Sequence, residues 1–216
     1  MSTYVRKKRT SPRPSPLLDL LASRPVVRIL RYLVAHEGAH TGRQLAAGAG
    51  VAVARAAEAF SRLVDMGVLE RRRAGRAFLY SLNETNYLVS DSLLPAFRSE
   101  AEWIERLGNE VSAVLERKVD AVILYGSWAR RQPMPTSDVD LLVVTRRVQD
   151  QDKVERILEG HRGRLAERFG RPVSLLVVGR NELRRRLRRG DRLMREIIRE
   201  GRTVAGKSIA EVVGGG

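Results

Sequence analysis

Between positions 26 and 34 the apolar residues Val26, Ile29, Leu30, Leu33 and Val34 recur every three or four positions. That spacing predicts an amphipathic helix, with Pro25 in a first turn that tolerates its missing N–H. Thr41 is suited to N-cap a second, short helix through Leu45 and Ala46, which the Gly48-Ala49-Gly50 break would end. A third helix is expected from about Val51 to Met66, burying Val53, Ala56, Ala57, Phe60, Leu63 and Val64, with Gly67 as C-cap. The period then changes to two. Val68-Leu69 and the alternating Phe78, Tyr80 and Leu82 flank Arg71-Arg72-Arg73-Ala74-Gly75-Arg76, which reads as a two-stranded hairpin with a basic tip.

Further along, Phe97, Trp103, Ile104, Leu107, Val111, Val114 and Leu115 form a helical stripe after Pro95. Such a stripe suits ordinary core, an inter-domain helix or a homodimer seam. Short, mostly apolar runs at 119–125, 138–144 and 173–178 predict buried strands, and 150–169 predicts a crossover helix with Val154, Ile157, Leu158, Leu165 and Phe169 inward. Strands alternating with helices indicate an α/β domain. The stretch 181–202 is read as helical, with Leu183, Leu187, Met194, Ile197 and Ile198 on its apolar side and a run of arginines whose role stays open.

Charge adds a partner to this picture. The 216 residues include 40 Lys plus Arg and 25 Asp plus Glu, a formal net charge of +15. Residues 1–16 hold Arg6-Lys7-Lys8-Arg9 and three prolines without any acid, a composition that cannot build a core and is expected as a disordered basic arm. Residues 83–118 are net acidic, and the segments on either side are basic. A basic arm and two basic domains point to a polyanion, most simply double-stranded DNA; genome base composition is the plainer source of an Arg-rich chain. With no Cys and only His36, His40 and His161, thiolate chemistry and a His-rich metal site are excluded, so any metal must be held by oxygen. No apolar run is long enough to cross a bilayer and the first residues lack a signal-peptide core, so no membrane partner and a cytoplasmic location are expected.

The helix, helix-turn-helix and hairpin over 17–82, with "LVDMGVLERRRAGRAFLYSLN" leading into the hairpin, resemble the winged helix-turn-helix of bacterial and archaeal transcription regulators. The resemblance implies that the third helix enters the major groove, offering Arg55 and Arg62, while Arg71, Arg72, Arg73 and Arg76 on the wing meet phosphates. Regulators of this kind commonly act as dimers, in keeping with the stripe noted above.

Asp138 and Asp140 open the strand 138–144, and period two puts both on one face. Adjacent carboxylates repel unless a cation lies between them, and a hard divalent ion such as Mg²⁺ takes such oxygen ligands together with phosphate oxygens. Before them, Gly126-Ser127 opens a short helix that suits an anion. The string "GSWARRQPMPTSDVDLLVV" resembles the signature of the DNA polymerase beta-like nucleotidyltransferase superfamily, most closely its minimal members, over 119–206. The resemblance implies that Gly126, Ser127 and Arg130 bind the nucleotide triphosphate and that Asp138 and Asp140 are metal-binding and, in an active enzyme, catalytic residues, with Mg²⁺ and an NTP as cofactor and ligand. Two positions depart from the pattern. Arg131 stands where Gly is common, and the third carboxylate position falls on Ser174, which cannot accept a proton near neutral pH; Glu182, beyond that strand, is a substitute that no spacing demands.

The expected organisation is therefore a two-domain α/β protein. It comprises a basic arm over 1–16, a winged helix-turn-helix over 17–82, a helical connector over 83–118, a nucleotidyltransferase-like domain with a small mixed sheet over 119–206 and a flexible tail over 207–216. The function implied is a DNA-binding transcription regulator that binds Mg-nucleotide with transfer impaired. The alternative is an active Mg-dependent nucleotidyltransferase moving NMP from NTP to a hydroxyl on a protein, an RNA or a small molecule.

Overall fold

The computed structural model describes residues 16–214, so nearly all of the expected basic arm lies outside the described residues. The chain divides into two compact units, 1–101 and 102–216.

In the first unit, α1 (Pro16–Leu21) leads into α2 (Arg24–Ala35), which has Pro25 in its first turn and buries Val26, Ile29, Leu30 and Leu33. Strand β1 (His40–Thr41) runs directly into α3 (Gly42–Gly48). Thr41 caps α3 through a reciprocal capping box: its hydroxyl accepts from Gln44 N at 3.3 Å, and Thr41 N donates to Gln44 Oε1 at 2.8 Å. Gly48, the last residue of this helix, has no room for a Cβ against the Tyr32 ring, and Gly50 turns the chain at φ +62°. Helix α4 (Val53–Asp65) follows, and Gly67 turns the chain at φ +67°. Strands β2 (Leu69–Ala74) and β3 (Ala77–Leu82) pair antiparallel across a two-residue loop whose Gly75 has φ +59°.

Two details of this unit correct the sequence reading. On α4 the buried set is Ala56, Ala59, Phe60 and Leu63; Val53 is 70% exposed and Ala57 is also exposed. The helix starts two residues later than expected, and its inward stripe follows the i, i+3, i+4, i+7 rule from Ala56. The hairpin is also the larger part of a three-stranded sheet, ordered β1-β3-β2, because His40 and Thr41 pair with Tyr80 and Leu79.

The stretch 83–118 is not a separate connector. A π turn (Val89–Leu93) and helix α5 (Leu94–Val114) carry it, and Val89, Leu93, Leu94 and Phe97 belong to the first unit's core, whereas Leu107, Val111 and Leu115 belong to the second's.

The second unit is built on a four-stranded mixed sheet ordered β6-β5-β4-β7, made of β4 (Val119–Tyr125), β5 (Val139–Thr145), β6 (Val173–Gly179) and β7 (Arg202–Gly206). Only β5 and β6 are parallel, joined by the crossover helix α7 (Gln151–Phe169); the short α6 (Gly126–Ala129) follows β4. Alternation assigns the two faces. Val122, Leu124, Leu141 and Val143 pack with Leu107, Val111, Val154, Leu158 and Leu165 of α5 and α7. Ala121, Ile123, Leu142, Val144 and Val178 pack on the other side with Leu183 of α8 (Arg180–Arg188) and with Met194 and Ile197 of α9 (Arg192–Glu200). Strands buried on both faces explain the nearly uninterrupted apolar runs in the sequence.

The arginine-rich stretch is two helices, not one, since Gly190 turns at φ +83° and Asp191 caps α9 by accepting from Met194 N at 3.0 Å. The expected flexible tail is also corrected. Within its described part, α10 (Ile209–Gly214) places Val212 in the core, and Ser208 and Glu211 cap it reciprocally.

Candidate functional site

Asp138, Asp140 and Ser174 converge at one edge of the second unit's sheet. Asp140 pairs in register with Tyr125 on β4 and with Ser174 on β6. Its parity matches Leu142 and Val144, so it lies on the face covered by α8 and α9. Asp138, two residues earlier, meets the same neighbour: Ser174 Oγ donates to Asp138 Oδ2 at 3.3 Å. The third-carboxylate position inferred from the sequence is thus a hydroxyl already engaged with one of the two acids. Glu182 does not replace it. β6 runs parallel to β5 and carries the chain about 17 Å away, at the rise of an extended strand, before α8 begins, and Glu182 is paired with Arg185.

Glycine is required at 126 on two counts. Its φ is +70°, and a Cβ would collide with the Asp140 carboxylate. The close approach brings the Gly126-Ser127 turn directly against the Asp140 carboxylate. Arg130 follows at the end of α6, where its Nη1 reaches Glu196 Oε1 at 3.3 Å and Glu200 Oε2 at 3.2 Å on α9. Arg131 has φ +57°, the left-handed conformation that favours glycine. The departure from the family pattern at this position therefore carries backbone strain.

The loop into Asp138 is held by residues that the motif reading missed. Trp128 Nε1 donates to Ser137 O at 3.4 Å, Ser137 Oγ accepts from Met134 N at 2.9 Å, and Arg171 donates to Pro135 O. Trp128 is itself fixed edge-on against Trp103, with centroids 4.9 Å apart. Apart from the local Met134–Ser137 bond, no short-range spacing announces these partners, which come from separate elements.

Electrostatically the site carries excess negative charge. Burial raises the Asp140 pKa above its ordinary value, the Asp138 charge raises it further, and Arg130 opposes them. Tyr125 is also raised, by burial and then by Asp140. Among the described residues no Lys or Arg forms an ion pair with either aspartate, and no cluster of three or more His, Cys, Asp or Glu exists. Two carboxylates and a hydroxyl, all oxygen, fit one hard divalent cation that keeps part of its shell for phosphate or water. They do not supply the ligands of a complete two-metal acid triad.

In the first unit Arg55 and Arg62 are exposed on α4, and Arg71, Arg72, Arg73 and Arg76 are exposed on the hairpin. The hairpin arginines are not one patch. Arg71 and Arg73 share a face with Phe78, over whose ring Arg71 lies at 4.8 Å, and Arg72 points to the opposite face. Among the described residues no helix is long and apolar enough to cross a membrane.

Comparison with known proteins bears on the second unit. Residues 109–209 match the family described as Polymerase beta, Nucleotidyltransferase. A protein of Methanocaldococcus jannaschii, named as a candidate protein adenylyltransferase, is 29% identical over 76 residues, which is 35% of this chain and 72% of the relative. A solved toxin-antitoxin structure with AMP-PNP is similar at a TM-score of 0.34 and 15% identity, over 50% of this chain and 80% of that one.

Proposed function

We propose, with a nucleotidyltransferase-like domain over 109–209 as the premise, that this protein is a DNA-binding transcription regulator that binds a magnesium nucleotide and is impaired in transfer. The observation that carries this reading is the side chain of Ser174. It stands beside Asp140 in register and bonds to Asp138, where an active site of this kind needs a carboxylate to take the proton of the incoming hydroxyl. Asp138 and Asp140 would hold Mg²⁺, whose chemistry is charge neutralisation at the phosphates. The Gly126-Ser127 turn and Arg130 would orient the triphosphate, and Glu196 and Glu200 would hold the Arg130 guanidinium in place. The DNA-binding half of the proposal is supported by α2, the α3–turn–α4 pair and the exposed basic hairpin, the order of elements in a winged helix-turn-helix. On that reading α4 presents Arg55 and Arg62 to the groove, and the wing arginines meet the backbone. Replacing Arg71, Arg72 and Arg73 together with Ala should weaken binding to all duplex sequences and flatten its salt dependence.

A second reading, an active nucleotidyltransferase, is favoured by the intact Gly-Ser turn and aspartate pair and by the name of the Methanocaldococcus jannaschii relative. Incubation with Mg²⁺, α-phosphate-labelled NTPs and a mixture of proteins and RNA, beside an Asp138→Asn/Asp140→Asn control, separates the two. Label transfer that vanishes in the control establishes the enzyme. Absence of transfer, with Mg-nucleotide binding retained in calorimetry, supports the regulator.

A further inference from the structure

We infer that a cleft in the first unit grips one backbone phosphate of duplex DNA through Arg24, Arg28 and Arg55, an inference that rests on the DNA-binding reading above. The cavity, about 280 Å³, is lined by these three arginines together with Pro25 and the turn of Gly50, Val51 and Ala52, and no carboxylate lines it. Arg28 is braced there, because its Nη1 donates to Gly50 O at 3.0 Å, leaving its other N–H groups for a second acceptor. Arg24 and Arg55 are exposed and, among the described residues, form no ion pair.

The backbone reinforces the arginines. The two helices that open on this cleft, α2 and α4, have no side-chain cap bond and no acid in their first turns. Elsewhere Thr41 caps α3 and Asp191 caps α9. In α4 the N–H groups of Val53, Ala54 and Arg55 precede the helix's first bond, which Ala56 N donates to Ala52 O at 2.9 Å. Three guanidiniums with no counter-charge, beside unpaired N–H groups, form the donor set that a phosphate oxyanion accepts. Arg55 also lies on α4, the helix assigned to the groove, so a phosphate held here is continuous with that contact. The clamp fixes the register of α4 on the duplex from its N-terminal end and carries no sequence information itself.

The test uses the full chain and the anisotropy of a labelled mixed-sequence duplex over a salt series. Arg24→Ala/Arg28→Ala is compared with Arg98→Ala/Arg164→Ala, which removes the same charge at exposed positions that do not line the cleft, and circular dichroism confirms that both are folded. The cleft variant should bind roughly tenfold more weakly at low salt and lower the slope of log K against log salt by about 0.9, the share of one phosphate, with the control changing less than about twofold. Arg28→Lys, which keeps the charge and loses the planar fork, should keep the slope. Equal slopes for the cleft variant and the control overturn the inference and leave the DNA reading standing. So does loss of inorganic phosphate binding in calorimetry with an unchanged duplex slope, since the cleft is then a site for free phosphate. An intact protein that binds no duplex overturns both.

Discussion

Asp120 and Asp140 lie near opposite ends of the same strand pair, Asp120 next to Val119, which pairs with Thr145, and Asp140 paired with Tyr125. The protein treats them in opposite ways. The Asp120 side chain is fully buried and faces three cations: Arg180 on one oxygen, and Lys207 at 3.2 Å and Arg146 at 3.5 Å on the other. These cations leave from the ends of β6, β7 and β5, so one carboxylate ties three strand ends together. At the other end two carboxylates share a face, Asp138 accepts from a serine hydroxyl, and Arg130, the guanidinium that opposes the rise of the Asp140 pKa, is held by Glu196 and Glu200. The first site is neutralised within the chain. The second keeps a negative charge that an external cation can neutralise, which is what distinguishes a structural carboxylate from a candidate binding one.

The contrast can be broken most strongly at its closed end. Asp120→Asn should destabilise the protein by about 3 kcal/mol, because it leaves Arg180, whose Nε is buried without a hydrogen bond, facing no counter-charge; the shift in urea midpoint measures it. At the open end, Mg²⁺ at a hundredfold excess over its Kd should stabilise the wild type by about 2.7 kcal/mol, and Asp138→Asn/Asp140→Asn should abolish the gain. An unchanged thermal midpoint in Mg²⁺ would remove the metal from the site.

Without metal, the single change Asp140→Asn should stabilise the fold near neutral pH, by less than about 1 kcal/mol once solvent screening is allowed for. The sign follows from the raised pKa of Asp140. The folded state holds this proton more tightly than the unfolded one, so ionisation costs stability as pH rises from the ordinary carboxylate range through the folded pKa. The full cost is present above that value. The advantage of the variant should therefore fade on acidification to below the ordinary carboxylate pKa of 3.8, and a pH series of thermal melts shows whether it does. The smallest effect is expected from Arg131→Gly, a gain of about 0.5 kcal/mol as relief of the left-handed backbone is partly offset by glycine's greater unfolded-state entropy.

Much of this architecture is legible in local patterns. Thr41 with Gln44, Pro25, Gly67 and Gly75 mark helix starts, stops and a turn through interactions within about four residues, and the apolar runs of β4, β5 and β6 declare strands covered on both faces. The aspartate pair and Gly126-Ser127 were readable as a site because strand periodicity alone puts both acids on one face. Less was legible where neighbours compete. Val53, expected in the core, is exposed and Ala59 is buried instead, because tertiary packing sets which side of α4 faces inward. The short β1 and β7 are too brief to show a period, and α10 is anchored by a single buried valine.

The sequence by itself determined the longer helices and strands and the identity of the acid pair, since each depends on residue type and short-range spacing; the serine at the expected third-carboxylate position follows from the family resemblance. Only the tertiary structure decided that Ser174 touches Asp138, that Glu182 is carried away along β6, that Arg130 is held by α9, and that Asp120 gathers cations from three strand ends. Those relations join residues 26 to 87 positions apart, with the Ser174–Asp138 bond spanning 36. Their physical cause is strand order and register, which bring such residues together only when the sheet has formed and its buried faces have excluded every other alignment.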